Sequence, residues 1–175
     1  MKQYFNYLKK IEDYDSNLAH NAKMVLVEAA APAVAHGAGF LVICPDTESV
    51  LLARRSDHVS EPGTWGIFGG GIERGESPLI AAMREIGEEG GLSSSDFRTY
   101  KDPIYIHDGD DVVFNTFPAI CDKMLQPELN NEHSMCGWFT LDNLPTPLHF
   151  GVEAMMSNPE ACQIISDIIS GEVSF

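Results

Sequence analysis

Between Ser77 and Gly91 the chain carries a full set of helix punctuation, and no other stretch narrows its fold so far. Ser77 has the hydroxyl to accept an otherwise unpaired N–H of the first turn, and Pro78 suits the first helical position because its missing N–H is not needed there. Gly90 with Gly91 supplies the left-handed residue that closes a helix, so the spacing predicts a helix over 78–89. At 100° per residue, Glu85, Glu88 and Glu89 share one narrow arc, while Leu79, Met83 and Ile86 mark a separate face spaced for packing on a sheet. Like charges at that spacing destabilise a helix by a few tenths of a kcal/mol per pair, roughly, and raise carboxylate pKa values. A divalent cation reverses both effects. Oxygen ligands with no His or Cys among them favour Mg2+, with Mn2+ as a substitute. A solvated acidic face would show the same run of glutamates, but not the glycine-rich approach FGGG just before it.

The flanking sequence alternates strands with helices. GAGFLVI from Gly37 and VLLARR read as two strands joined through Pro45 to Glu48, and WGIFGGGIERGE as a brief strand entering a glycine-rich turn. DPIYIH and VVFNTFPAI flank residues 107–111 and predict a hairpin turning through Asp108 and Gly109. The acidic DGDD tract in that turn lacks the twelve-residue ligand pattern of a calcium loop. A strand over Cys136 to Thr140 follows, then a helix near 158–170 that starts at Asn158 and Pro159 and turns Ala161, Ile164, Ile165 and Ile168 inward. Residues 1–35, ending in AAAPAVA, differ in character and read as an N-terminal extension, partly helical because Phe5, Leu8 and Ile11 recur at helical spacing. Residues 36–175 are expected to form the main domain.

Charge and cysteine usage exclude several classes. With 11 Lys and Arg against 26 Asp and Glu, the net charge is −15. A nucleic acid or an anionic membrane needs clustered cations, so neither is an expected partner, and a polyanionic small molecule would need a metal. No run of about 18 apolar residues occurs, and MKQYFNYLKKIEDYDSN has no apolar core of the signal-peptide kind, which points to the cytoplasm. Cys44, Cys121, Cys136 and Cys162 are widely spaced and are expected to be reduced thiols.

Gly70, Glu76, Arg84, Glu85, Ile86, Glu88, Glu89, Gly91 and Leu92 match the pattern G-x5-E-x7-R-E-U-x-E-E-x-G-U, where U is aliphatic, at every specified position. This segment resembles the Nudix box, and the likeness extends over about Gly37 to Val152 through VLLARRS, Trp65 and NEHSMCGWFTLDNLP. Phe68 stands where many Nudix relatives have Pro. The resemblance implies an α/β fold, an α/β/α sandwich around a curved mixed sheet. It implies Glu85, Glu88 and Glu89 as metal ligands with the backbone carbonyl of Gly69, Arg84 as the residue holding the carboxylates, and Glu76 as their supporting carboxylate or an occasional ligand. Glu132, in the loop before the Trp138 strand, matches a further acidic ligand or base, and His133 is its neighbour. Arg54 and Arg55 are adjacent on a strand and point to opposite faces, so one of them can reach a phosphate.

The activity so implied is metal-dependent hydrolysis of a phosphoanhydride in a nucleoside diphosphate linked to another group, with a nucleoside triphosphate as the expected substrate. ADP-ribose or another sugar nucleotide is the alternative. A Nudix domain used only as a ligand sensor or interaction module is the reading from another class, and the complete set of box carboxylates favours the enzyme. The expected partner is a small-molecule nucleotide, and a homodimer is left open.

Overall fold

The computed structural model describes residues 34–172, so the helix expected around Phe5 to Ile11 lies outside the described residues. From Ala35 onward the chain packs as one unit whose spine is strand β1, Ala35–Cys44. Ala38, Phe40, Val42 and Cys44 enter one core, and Leu41 and Ile43 enter another on the opposite face. A strand covered on both faces needs apolar residues at consecutive positions, which is why FLVIC lacks the alternation of a half-exposed strand.

Along one edge β1 pairs in parallel with β6, Val112–Ile120, from Ala35 opposite Val112 to Ile43 opposite Ile120. Its other edge is divided. Residues 42–44 pair antiparallel with β2, Ser49–Arg55, whereas residues 37–40 pair antiparallel with β4, Phe68–Gly71. The sheet thus forks between β1 and β2, and the segment from Trp65 to Gly71 fills the fork. Its first part, β3 at Trp65–Gly66, adds to β2, and its second part, β4, adds to β1. β7, His133–Thr140, covers the far edge of β2, and β5, Tyr105–Asp108, forms the expected hairpin with β6. These seven described strands form one mixed sheet.

Helix α1, Pro78–Gly90, lies on the face of Phe40 and Phe68. Its ends are those expected: the Ile80 N–H donates to Ser77 Oγ at 3.4 Å, and Gly91, at φ 64°, returns its N–H to the Gly87 carbonyl. Its fully buried apolar side chains are Ala81, Ala82 and Ile86, while Leu79 and Met83 are half-buried at the margin of the core. Ala81 and Ala82 join Ile86 against the sheet, and their small side chains let the helix axis approach the strands. Burying each of Phe40, Phe68 and Ile86 contributes roughly 1.5–3 kcal/mol, so this seam anchors the carboxylate helix firmly.

On the other face lie α2, Phe150–Met156, and α3, Pro159–Ser170. Asn158 caps α3 by accepting the Ala161 N–H at 3.0 Å, and Ala161, Ile165 and Ile168 are buried as expected, with Ile164 half-buried. The short α2 is an element the sequence reading lacked. Two helical faces around a forked mixed sheet make the α/β/α sandwich.

Candidate active site

β4 is the element that brings the box together. The Ile72 N–H donates to the His36 carbonyl at 2.9 Å, and in an antiparallel ladder the residues that exchange such bonds alternate along the strand. Gly69 and Gly71 therefore turn their backbone groups away from β1, toward α1. Two contacts agree with this: the Gly69 N–H donates to Glu89 Oε2 at 2.8 Å, and the Gly71 carbonyl accepts from Arg84 Nη2 at 2.9 Å. The Gly69 carbonyl shares that direction. Gly70 leaves room for Glu85, since a Cβ built there would lie 2.5 Å from Glu85 Oε1.

Arg84 organises the carboxylates. Its Nε and Nη2 donate to the two oxygens of Glu76, each at 3.0 Å, and its Nη1 donates to Glu85 Oε1 at 2.8 Å and to Glu88 Oε2 at 3.3 Å. The bidentate fork holds Glu76 well below the usual carboxylate range, helped by the Glu73 N–H. The same hydrogen bonds, Glu76 first and then Glu85, raise the guanidinium further above its already high pKa. Both oxygens of Glu76 are thus engaged by Arg84.

The three helix carboxylates do not have equal surroundings. Glu85 and Glu89 line a cleft of ≈ 400 Å³ together with Gly69, Gly70, Glu132 and Arg55. Glu88 is outside that lining, and its side chain is 60% exposed. Glu89 is 3% exposed. Burial pushes its pKa up to about 8; the Gly69 N–H opposes the rise, and the charges of Glu132 and Glu85 add to it. Among the described residues no three His, Cys, Asp or Glu side chains converge to hold a metal between them, because Arg84 sits among Glu76, Glu85 and Glu88 while Glu89 turns to Gly69. The donor set still fits a hard divalent cation. A buried carboxyl that is costly to ionise, two further carboxylates in the same cleft and an outward carbonyl from Gly69 are oxygen donors of the kind that Mg2+ takes.

Of the two arginines, Arg55 lines the cleft and Arg54 does not. Arg55 Nε donates to the Ser60 carbonyl at 2.6 Å and its Nη2 to Ser60 Oγ at 2.9 Å, whereas Arg54 is exposed and bonds to the Gly63 carbonyl at 3.2 Å. Glu132 reaches the cleft from an exposed loop position just before β7. His133 is buried against the edge of Phe68, with ring centroids 5.4 Å apart, and burial, then the Arg55 charge, pushes its pKa down to about 4. It does not line the cleft. Phe68, in the place of the more usual Pro, supplies that packing and also abuts Gly90 at the end of α1.

The rest of the cleft was not read from the sequence. Tyr105, His107, Phe114 and Thr116 line it as two cross-strand pairs, Tyr105 opposite Thr116 and His107 opposite Phe114, and His149, Phe150 and Met155 line it from α2 and its cap. The period-two spacing of Tyr105 with His107 and of Phe114 with Thr116 was a usable signal for the hairpin residues. For α2 the signal was weak, since His149 is an unusual cap: its Nδ1 accepts the Gly151 N–H at 3.2 Å.

Known proteins match this arrangement. The chain is 31% identical over 125 residues to a protein of Mycobacterium tuberculosis provisionally named 8-oxo-dGTP diphosphatase 3, covering 67% of this chain and 58% of that protein. It is 29% identical over 113 residues to the m7GpppN-mRNA hydrolase dcap-2 of Caenorhabditis elegans, covering 62% of this chain and 14% of that protein. The chain therefore spans less than two thirds of the length of either relative. The crystal structure of a Nudix hydrolase from M. smegmatis, RenU, superimposes with a TM-score of 0.62 at 22% identity, over 82% of this chain and 89% of that one, which shows a common fold. The family model described as NUDIX domain matches residues 35–158, the span that holds the sheet, α1 and the cleft. With that match over most of its length, the chain belongs to the NUDIX family.

Proposed function

We propose that this protein hydrolyses a phosphoanhydride in a nucleoside diphosphate linked to another group, with a nucleoside triphosphate as substrate. The observation that carries the proposal is the meeting of Glu85, Glu89, Gly69 and Glu132 with Arg55 in one cleft. Glu85, Glu89 and the Gly69 carbonyl would hold Mg2+, or Mn2+ in its place, and Glu88 would join them on giving up its bond to Arg84, the longest of that arginine's carboxylate contacts. A divalent ion bound there neutralises phosphate oxygens and acidifies a water. Arg55 adds a fixed cation toward the phosphates. Glu132 is exposed at the cleft and makes no ion pair among the described residues, which supports it as the base that would accept the proton of the attacking water. Arg84 keeps Glu85 oriented and Glu76 keeps Arg84 oriented, so neither needs to touch the substrate.

Two of the relatives point to different substrates, an oxidised deoxynucleotide and capped mRNA. A net charge of −15 disfavours a polynucleotide, which needs a basic track, and places free nucleotides first, with ADP-ribose or another sugar nucleotide next. The reading makes the protein a cytoplasmic enzyme. In accord with this, all four cysteines are unpaired, and among the described residues no helix is long and apolar enough to cross a membrane. The test is product analysis on the full chain with Mg2+, using deoxynucleoside triphosphates, 8-oxo-dGTP, ADP-ribose, dinucleoside polyphosphates and capped RNA. Release of a nucleoside monophosphate and pyrophosphate from a triphosphate is the expected result. Nucleotide binding without turnover on any substrate, with Mg2+ or Mn2+, would make it a ligand-sensing module instead.

A further inference from the structure

The cleft has a second chemistry that the carboxylates do not explain. The ring of Phe114 lies against Gly69, where an added Cβ would meet it at 3.0 Å, so an aromatic wall begins beside the residue that bonds Glu89. From there it continues across the hairpin to His107, the strand partner of Phe114, and on to Phe150, whose ring stands edge-on to His107 with centroids 5.6 Å apart. His149 braces Phe150 from another side at 4.6 Å. His149 Nδ1 accepts the Gly151 N–H at 3.2 Å, which orients the ring as a support, and its Nε2 lies 3.5 Å from Glu61 Oε1. Phe150 is nonetheless 45% exposed and lines the cleft. An apolar ring held in place by two neighbours and left bare toward a polar cleft gains nothing from a polyphosphate. It matches a planar aromatic group carried at the far end of the substrate.

We propose that Phe150 is the stacking platform for the nucleobase, and that the wall from Phe114 through His107 sets the separation between base and phosphates. This rests on the nucleotide reading above. Stacking accepts any base through its π face, so the platform confers affinity for nucleotides over bare phosphoanhydrides and does not by itself choose the base.

Saturation-transfer NMR with nucleoside monophosphates in EDTA reads base contact without turnover. Wild type should transfer saturation to the base protons, Phe150→Ala and Phe150→Leu should lose it, and Phe150→Trp should keep it. In parallel, Phe150→Ala should raise KM for the preferred triphosphate about 5- to 100-fold with kcat changed less than about threefold. Inhibition by inorganic tripolyphosphate should be unchanged. Phe150→Leu retains an apolar residue at the start of α2 and keeps the test valid if the alanine variant melts early; full base contact in Phe150→Leu overturns stacking. Turnover by wild type with no change of KM in Phe150→Ala overturns the platform while leaving the nucleotide reading intact. Tripolyphosphate binding with no base transfer from any monophosphate overturns both.

Discussion

Replacing Glu89 with Gln should stabilise the metal-free protein while removing its activity, and the size of the effect follows from burial. Glu89 is 3% exposed and its pKa is raised from 4.5 to about 8, first by desolvation. The unfolded chain gives up this proton at the lower pH. Stability is therefore lost progressively as pH rises above 4.5, and the loss is complete above about 8. At about 1.4 kcal/mol per pH unit, Glu89 costs about 3 kcal/mol at pH 7. Glutamine has nearly the same volume, carries no charge and keeps an oxygen for the Gly69 N–H, so it removes that cost. For a chain of this size each kcal/mol moves the melting temperature by about 2–4 °C, and the variant should melt roughly 6–12 °C above wild type at pH 7 in EDTA. The two curves should converge toward pH 5. Mg2+ should raise the wild type, by binding the folded state, more than the variant. Turnover of Glu89→Gln should fall about 10²- to 10⁴-fold. Melting temperatures from pH 5 to 8.5, with EDTA and with Mg2+, provide the measurement. Parallel pH dependences for the two proteins in EDTA would refute the idea that Glu89 is a destabilised buried acid.

Other consequences are as direct. Glu85→Gln should shrink the melting shift induced by Mg2+, and the triple Gln variant at Glu85, Glu88 and Glu89 should abolish it; an undiminished shift would put the metal elsewhere. Arg55→Ala should raise KM roughly tenfold and Arg54→Ala less than about twofold, as a lost charge-assisted contact requires, and equal effects would contradict their placement. Gly70→Ala puts a methyl 2.5 Å from Glu85 Oε1, so turnover should drop by about tenfold or more with the fold retained, and wild-type kinetics would show that Glu85 has another position open to it.

Short-range rules were enough for most elements of this protein, though not for α2. Ser77, Pro78 and Gly91 bound α1, and Asn158 and Pro159 start α3, each because a backbone group at that point needs one particular partner or conformation from a neighbour a few residues away. The hairpin turns through Gly109 to Asp111, with Asp108 still paired to Val113 at the end of β5 and not in the turn as expected. The spacing of Glu85, Glu88 and Glu89 likewise placed three carboxylates on one arc. Which of them faces the cleft was beyond it. Glu88 and Glu89 are adjacent and of the same residue type, yet one is largely exposed and the other buried, because only Glu89 lies where β4 fills the fork between β1 and β2 and Gly69 turns its N–H outward. The selection of Arg55 over Arg54 depends on the same assembly. The aromatic wall joins the β5–β6 hairpin to α2, which follows in the chain only after the whole of β7. Local pattern sets what each segment can be; burial, and with it the pKa of Glu89 and the exposure of Phe150, exists only once distant segments close around the same space.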